Sequence, residues 1–404
     1  MSGQVAVGDL LDVEVGPVAH GGHCVARHQG QVVFVRHALP GETVRARVTQ
    51  IGRKGRFVRA DAVEVLTASP ARRQPPCPVA AQCGGCDWQH ATPRAARGLK
   101  TAVVREAMSR FAGVELDVSF EVRPVAGPRE RAAAGTEAPE GLGWRTRGTL
   151  SVDPSGRVGF LGHRSHRVVA AGQCLQLDPR LERADLFGRP WPAARVDFVA
   201  PSVGEPLAFV AGGAPLTPLT ERAAGREWSV AADGFWQVHP GAADALVEQV
   251  RSMLEPQPGE RLIDLYAGVG LFGLSLAGAV DGDLDVTLVE GDRRACDLAR
   301  QNAGERPATV VRADVDRWVG RPGALAGADL VVLDPPRTGA KAAVVAAIAQ
   351  AGPRAVAYVA CDPVALARDV ATFTEHGMDL VRLEALDLFP TTHHVECVAM
   401  LAPR

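Results

Sequence analysis

Residues 261–277 read RLIDLYAGVGLFGLSLA. Arg261 to Leu265 has the composition of a buried strand, the stretch holding Gly268 and Gly270 is a glycine turn, and LFGLSLA continues as the first turns of a helix. DVTLVE (285–290) follows as a second strand that closes on Glu290. Strand, glycine turn, helix and strand predict an α/β fold with a Rossmann-like sheet. Gly268 and Gly270 let the backbone approach a ligand closely, and Glu290 is placed to accept hydrogen bonds from ribose hydroxyls. The outline is that of a nucleoside-cofactor site.

Gly268, Gly270 and Gly273 also satisfy the dinucleotide fingerprint of NAD and FAD proteins. Asp264, four residues before the first glycine, gives instead the DxxxGxG form of S-adenosylmethionine-dependent methyltransferases, and the half-domain lies at the C-terminal end, so S-adenosylmethionine is favoured. Three further strand-to-loop runs follow: DLVVLDPPR ending at Arg337, VAYVACDP with Cys361, and HHVECVAML with Glu396. A lone strand-end cysteine more often packs than reacts. A thiol and two carboxylates at the carboxyl edge of a parallel sheet, however, stand where open α/β folds act on ligands. Enzymes that methylate exocyclic amines carry an aromatic residue at the end of (D/N)PP(F/Y), stacked on the base; Arg337 stands there, which disfavours an amine as target.

Composition bounds the alternatives. A chain of 404 residues suggests two or three domains, and with 47% hydrophobic residues it is globular, with no apolar run long enough for a membrane helix. The N-terminus MSGQVAVGDLLDVEV has no basic region followed by an apolar run, so a cytoplasmic location is expected. No heptad or repeat suggests assembly, and no obligate protein partner is evident. The net charge of −2 gives no global sign of a nucleic-acid binder, yet residues 1–73 carry ten basic and six acidic side chains. Here short alternating runs, broken by LPGE and by turns at Gly52 and Gly55, predict a small all-β module with Arg45 and Arg47 on one face.

Cys77, Cys83 and Cys86 in CPVAAQCGGCDWQH (77–90) follow a C-x5-C-x2-C spacing, with Gly84 and Gly85 permitting the tight wrap that lets two thiolates reach one centre. Reducing cytosol disfavours disulfides, which leaves metal binding or catalysis for such a group. Cys174 is the nearest unassigned cysteine downstream and the candidate fourth ligand. Structural zinc usually pairs two CxxC-like elements, whereas an iron–sulfur cubane tolerates three ligands plus one, so [4Fe-4S] is favoured over zinc.

GGHCVARHQGQVVFVRHALPGE (21–42) resembles the TRAM domain, a small RNA-binding barrel appended to RNA-modifying enzymes; Cys24 stands where a glycine is more usual and reads as an inert thiol. The order of that barrel, CGGCDWQH, GFWQVHPGAADALV (234–247), DLYAGVGLFG, DPPRTG, VAYVACDP and HHVE is similar, over essentially the whole chain, to the bacterial RNA uracil-5-methyltransferases, which make 5-methyluridine in ribosomal or transfer RNA. Barrel and cluster together look more like the 23S ribosomal RNA branch than the minimal transfer RNA enzyme.

The family's chemistry needs these residue types. Carbon 5 of uracil is a poor nucleophile, so a thiolate adds to carbon 6 and the resulting enolate attacks the sulfonium methyl through carbon 5. The resemblance makes Cys361 that nucleophile and Glu396 the general base that removes the carbon-5 proton. Cys397 beside it is expected to pack, since successive strand residues point to opposite faces. The resemblance also implies cofactor contacts from Gln237, Tyr266, Glu290 and Asp334, with Asp314 near the adenine, and it places Phe235 against a uracil flipped out of its stack. Leu271, His239 and Ala360 depart from the family's frequent Asn, Asn and Ser, differences that bear on cofactor affinity and RNA choice.

Three domains are expected: a TRAM-like barrel over 1–68, a central α+β iron–sulfur and RNA-binding domain over 69–230, and a class I methyltransferase domain over 231–404. The helix-like 95–111 resembles an excursion that packs on the catalytic domain, making the central domain discontinuous. GPRERAAAGTEAPEGLG (127–143) reads as a mobile loop, and WRTRGTLSVDPSGRVGFLGHRSHRVV as a hairpin turned at Pro154 to Gly156. Arg145, Arg147, Arg164 and Arg167 resemble RNA-facing positions. A non-catalytic RNA-binding protein with a sensing cluster is the rival from another class, and the joint presence of Cys361, Glu396, Asp334 and Gln237 argues against it. A cytosine-5-methyltransferase shares the thiolate logic but commonly places its cysteine in TC or PC motifs.

Overall fold

The computed structural model describes residues 5–126 and 140–404; most of the loop expected over 127–143 lies outside the described residues. At the N-terminal end, the strands Leu10–Val18, Cys24–His28, Gln31–Arg36, Thr43–Ile51 and Phe57–Thr67 close into a barrel. In Leu10–Val18 the alternation of exposed and buried positions sends Leu11, Val13 and Val15 inward, where they meet Val33, Val35, Val44, Val48 and Val58. The same core takes in Trp88, Leu99 and Val103 from outside the barrel. Each large apolar side chain buried there contributes about 1.5–3 kcal/mol, so the barrel is fastened to the rest of the molecule.

The helix supplying Leu99 and Val103 is Pro93–Ala107, begun by Pro93 and by the Thr92 hydroxyl, which accepts from the Ala95 amide. It continues as a wider turn over Met108–Ala112 that stops at Gly113, where φ is +66°. Its other face joins the catalytic core through Val104, Ala107 and Met108. Buried Lys100 on this helix bonds Asp387 at 2.5 Å and the Phe389 carbonyl at 3.0 Å. The short strand Val122–Pro124 then pairs in parallel with the end of Met378–Asp387.

The central sheet has five strands in the order Leu207–Val210, Arg195–Val199, Arg147–Val152, Val158–Leu161 and Val168–Val169. Arg147–Val152 and Val158–Leu161 form the hairpin, with Asp153 closing the turn by accepting from the Ser155 and Arg157 amides. Its core gathers Leu150, Leu177, Leu181, Trp191, Val196 and Phe198.

The C-terminal sheet has eight strands. Ala308–Arg312, Asp285–Glu290, Arg261–Leu265, Leu330–Leu333 and Ala355–Ala360 run parallel; Glu396–Pro403 inserts antiparallel, followed by Met378–Asp387 and the edge strand Val122–Pro124. Alternate residues serve two faces. Leu262, Leu330, Val332, Ala357 and Val359 pack under Ala242–Leu254 and Leu271–Ala279, while Ile263, Leu265, Val331, Tyr358 and Ala360 pack against Ala342–Ala351 and Pro363–Glu375. The C-terminal sheet is thus Rossmann-like, as expected, preceded by the small barrel and a mixed central region. No helix among the described residues is long and apolar enough to cross a membrane.

Candidate active site

Arg261–Leu265 ends in a chain reversal where Tyr266 and Gly268 both take positive φ, +61° and +55°. A tyrosine is uncommon in that conformation and is held there by its surroundings. Gly270, at +92°, starts the helix Leu271–Ala279. Buried Asp264 fixes the turn from below: its Oδ2 accepts from the Gly273 amide at 2.8 Å. Gly273 is required there, since a Cβ would lie 2.6 Å from Leu288. Burial, together with the charges of Asp334 and Glu290, pushes the Asp264 carboxyl up to about 7, and the Gly273 bond opposes the rise.

Glu290, at the end of the next strand, accepts from the Gly268 amide at 2.9 Å and from the Asp292 amide at 2.8 Å. Asp314 caps the helix Val315–Val319 and is exposed. The Tyr266 hydroxyl lies 3.4 Å from Asp316, which Lys341 bonds at 2.6 Å. Tyr266, Gly268, Gly270, Glu290 and Asp314 therefore meet at one end of the parallel strands. Gln237 is buried and borders a cavity of about 1350 Å³ between the C-terminal and central parts, lined also by Trp144, Trp236 and His239.

Cys361, Asp334 and Glu396 come from three neighbouring strand ends. Cys361 follows Ala360, which pairs with Cys397, and Glu396 precedes that residue. Glu396 is 4% exposed. Burial raises its carboxyl well above the ordinary range, the charge of Asp334 raises it further, and Arg337 opposes both. Burial also lifts Asp334 to about 7. The Cys361 thiol is pushed up to about 12, first by burial and then by Glu396 and Asp334, against the pull of Arg337. Arg337, exposed and 3.4 Å from His394, is the cation whose charge favours the ionised forms of Cys361 and Glu396. Phe235 stands 71% exposed. Cys397 is fully buried and Cys24 packs inside the barrel with its sulfur 3.4 Å from the Ala38 carbonyl.

Cys77, Cys83, Cys86 and Cys174 all line one small cavity of about 30 Å³, walled by Val79, Leu150, Phe160, Val169 and Phe187. Burial raises the Cys86 thiol to about 12 and that of Cys174 to about 11, and the neighbouring thiols add to both shifts. Gly85 is packed so closely that a Cβ would sit 3.2 Å from the Phe160 ring and 3.5 Å from the Cys83 sulfur. Four thiols within apolar walls are soft donors of the type that hold iron or zinc, but among the described residues no three His, Cys, Asp or Glu side chains are placed to hold a metal ion.

The arginines of the central hairpin divide. Arg147 is buried and paired with buried Glu221 at 2.9 Å, so it is a structural ion pair and not an RNA-facing charge. Arg145 lies 5.2 Å from the Phe160 ring centre and 6.0 Å from that of Trp144; burial lowers its proton affinity, Cys174 and Cys86 oppose that, and Arg337 adds to it. Arg164 and Arg167 stay exposed, contacting Gln50 and Gln82. On the barrel, Arg45 is engaged by Asp12 and Glu64 while Arg47 remains exposed. Sequence reasoning missed Asp87, Thr391, His393 and His20, which lace the loops beside Cys361 and Glu396 to distant segments; CGGCDWQH and HHVE held the first and third in plain sight.

Comparison with known proteins places these features. A TRAM domain model matches residues 4–63, a methyltransferase small domain model 241–358, and a tRNA (uracil-5-)-methyltransferase model 326–404. An "uncharacterized RNA methyltransferase" of Streptomyces avermitilis is 42% identical over 98% of this chain and 99% of its own length. One from Bdellovibrio bacteriovorus is 32% identical over 98% of this chain and 95% of its own. The crystal structure of Pyrococcus abyssi tRNA (uracil-54, C5)-methyltransferase with S-adenosyl-L-homocysteine shares the fold, with a TM-score of 0.67 at 21% identity, over 96% of this chain and 99% of that one. With its TRAM barrel, its S-adenosylmethionine-type sheet and full-length relatives named as RNA methyltransferases, the chain belongs to the RNA uracil-5-methyltransferase family.

Proposed function

We propose that the enzyme methylates carbon 5 of a specific uridine in cytoplasmic RNA, with 23S ribosomal RNA the favoured substrate. The observation that carries this reading is the meeting of Cys361, Asp334, Glu396 and Arg337 at strand ends beside the glycine turn. S-adenosylmethionine supplies an electrophilic methyl; Tyr266, Gly268, Gly270, Glu290, Asp314, Asp334 and Gln237 are assigned to hold it. The Cys361 thiolate forms a bond to carbon 6, and carbon 5 takes the methyl. Glu396 then accepts the carbon-5 proton, the sulfur–carbon bond breaks, and Cys361 leaves as thiolate. Arg337 favours the ionised forms of both groups. Phe235 offers its exposed ring to the extruded base.

We assign Cys77, Cys83, Cys86 and Cys174 to a [4Fe-4S] cluster, supported by their shared dry cavity and by the close packing at Gly85. Such a cluster would cross-link the 77–90 segment to the central sheet. Transfer RNA is the second reading of the substrate, since the family match over 326–404 carries that name.

The test is an anaerobic incubation with labelled S-adenosylmethionine and total RNA from a strain lacking the gene, followed by nucleoside analysis and fragment mapping. Label in 5-methyluridine is expected, and its position identifies the RNA. Label in 5-methylcytidine, or none from protein that binds the cofactor, would sink the proposal.

A further inference from the structure

The segment that follows Cys86 grips the loop that leads into Glu396. The Asp87 and Trp88 amides both donate to the Thr391 carbonyl at 2.9 Å. In return the His393 amide donates to Asp87 Oδ2 at 2.9 Å, and His393 Nδ1 lies 2.7 Å from the same oxygen. Gln176 donates to the Thr391 hydroxyl at 2.7 Å, and the Thr391 side chain is also hydrogen-bonded to Cys86. Thr391 has φ of +64°, a conformation that a β-branched residue holds only when its neighbours impose it.

The grip is backed from a third direction. The Gly22 carbonyl of the barrel accepts from Trp88 Nε1 at 3.0 Å. A Cβ on Gly22 would come within 2.9 Å of His393 and 3.3 Å of Asp87, so the barrel loop presses on the joint itself. Three residues past His393 stands Glu396, whose strand begins there and whose side chain is buried. A loop held on both its backbone and its side chains leaves that carboxyl little freedom to turn.

We propose that Asp87 is a positioning residue for the carboxylate of Glu396, so that the 77–90 segment governs removal of the carbon-5 proton and leaves cofactor binding alone. Tyr266, Gly268 and Glu290 of the glycine turn share no hydrogen bond with this joint among the described residues, so their hold on the cofactor is separate from it; Gln237 borders the same cavity as Trp88 and Thr391, and cofactor affinity is therefore read directly in the test. The inference rests on the reading of Glu396 as general base.

The test uses total RNA from a strain lacking the gene, grown with 5-tritiated uracil, and methyl-labelled S-adenosylmethionine. Tritium release reports proton removal, and methyl label in a denaturant-stable protein–RNA complex reports the step before it. For Asp87→Ala, tritium release should slow by about tenfold or more while the complex accumulates and cofactor affinity stays within about twofold, an effect of about 1.4 kcal/mol per decade. Asp87→Asn keeps an acceptor oxygen and should restore much of the release. Should Asp87→Ala fail to fold, His393→Ala removes the side-chain contact alone and reads the same quantity. Equal loss of methyl label and tritium release, with no complex, would overturn the inference. Glu396→Gln run alongside separates the two readings: no complex from that variant sinks the base assignment itself, whereas a complex from it and none from Asp87→Ala sinks only the role of Asp87.

Discussion

His20 of the N-terminal barrel is hydrogen-bonded to Asp362, the residue that follows Cys361, with Nε2 3.0 Å from Oδ2. The other oxygen of Asp362 accepts from the Val364 and Ala365 amides and so starts the helix Pro363–Glu375. A residue of the barrel thereby braces the loop that carries the thiol. The barrel thus reaches the loop beside Cys361 as well as having its own core.

This contact predicts a pH-dependent contribution to stability. The Asp362 bond raises the His20 pKa above 6.5, with Glu106 adding to the rise and desolvation and Arg368 opposing it. Asp362 is lowered below 3.8 by His20 and the two amides against the effect of burial. A raised histidine stabilises fully below 6.5 and loses its effect as pH climbs through the folded value; a lowered carboxyl stabilises above 3.8 and fails as pH falls through its folded value. The pair therefore contributes most between those limits. With side chains 47% and 25% exposed, it is worth about 0.2–1 kcal/mol. Denaturant unfolding of His20→Ala should show that loss near pH 5.5 and a smaller one at pH 8.5. An equal loss at both would mean that the contact acts through packing alone.

The cysteine assignment predicts metal content. Protein purified without oxygen should hold about four iron and four sulfide per chain, with broad visible absorbance that Cys83→Ser or Cys174→Ser diminishes. One zinc per chain and no sulfide would replace the cubane with a tetrahedral site. A colourless, metal-free protein with full methyl transfer would remove the assignment.

Much of this was legible in the chain itself. The run 261–277 gave strand, glycine turn and helix because period and glycine placement are local properties, and the barrel was legible for the same reason: alternation in Gln31–Arg36 and Thr43–Ile51 needs no distant partner. Arg147 misled, because a charge reads as solvated unless its partner is known, and Glu221 lies 74 residues away. The bracing of the catalytic loops was invisible for a like reason. Asp87 and His393 are 306 residues apart and His20 and Asp362 are separated by 342, so only the folded chain brings them together. The strand Val122–Pro124 at the sheet edge is too short for periodicity to mark, and its pairing with Met378–Asp387 is again long-range.

Arg337 supplies the last prediction. It draws down the proton affinity of both Cys361 and Glu396, which burial and the surrounding carboxylates push up. On the proposed reading Cys361 must be deprotonated before methyl transfer and Glu396 before proton removal, so turnover should rise with pH. Arg337→Gln removes the cation and should move that rise to higher pH, with a loss of about tenfold at neutral pH for each unit of displacement. Arg337→Lys keeps the charge and should recover most of the neutral-pH rate, though not the planar guanidinium contact near His394. The check is kcat/KM from pH 6 to 9.5 for all three proteins. With the thiol raised to about 12 no midpoint falls in that range, so RNA affinity is measured beside it: if Arg337→Gln weakens RNA binding by as much as it lowers kcat/KM, Arg337 acts by holding RNA, and the thiolate must be generated by contacts that form only when the substrate is bound.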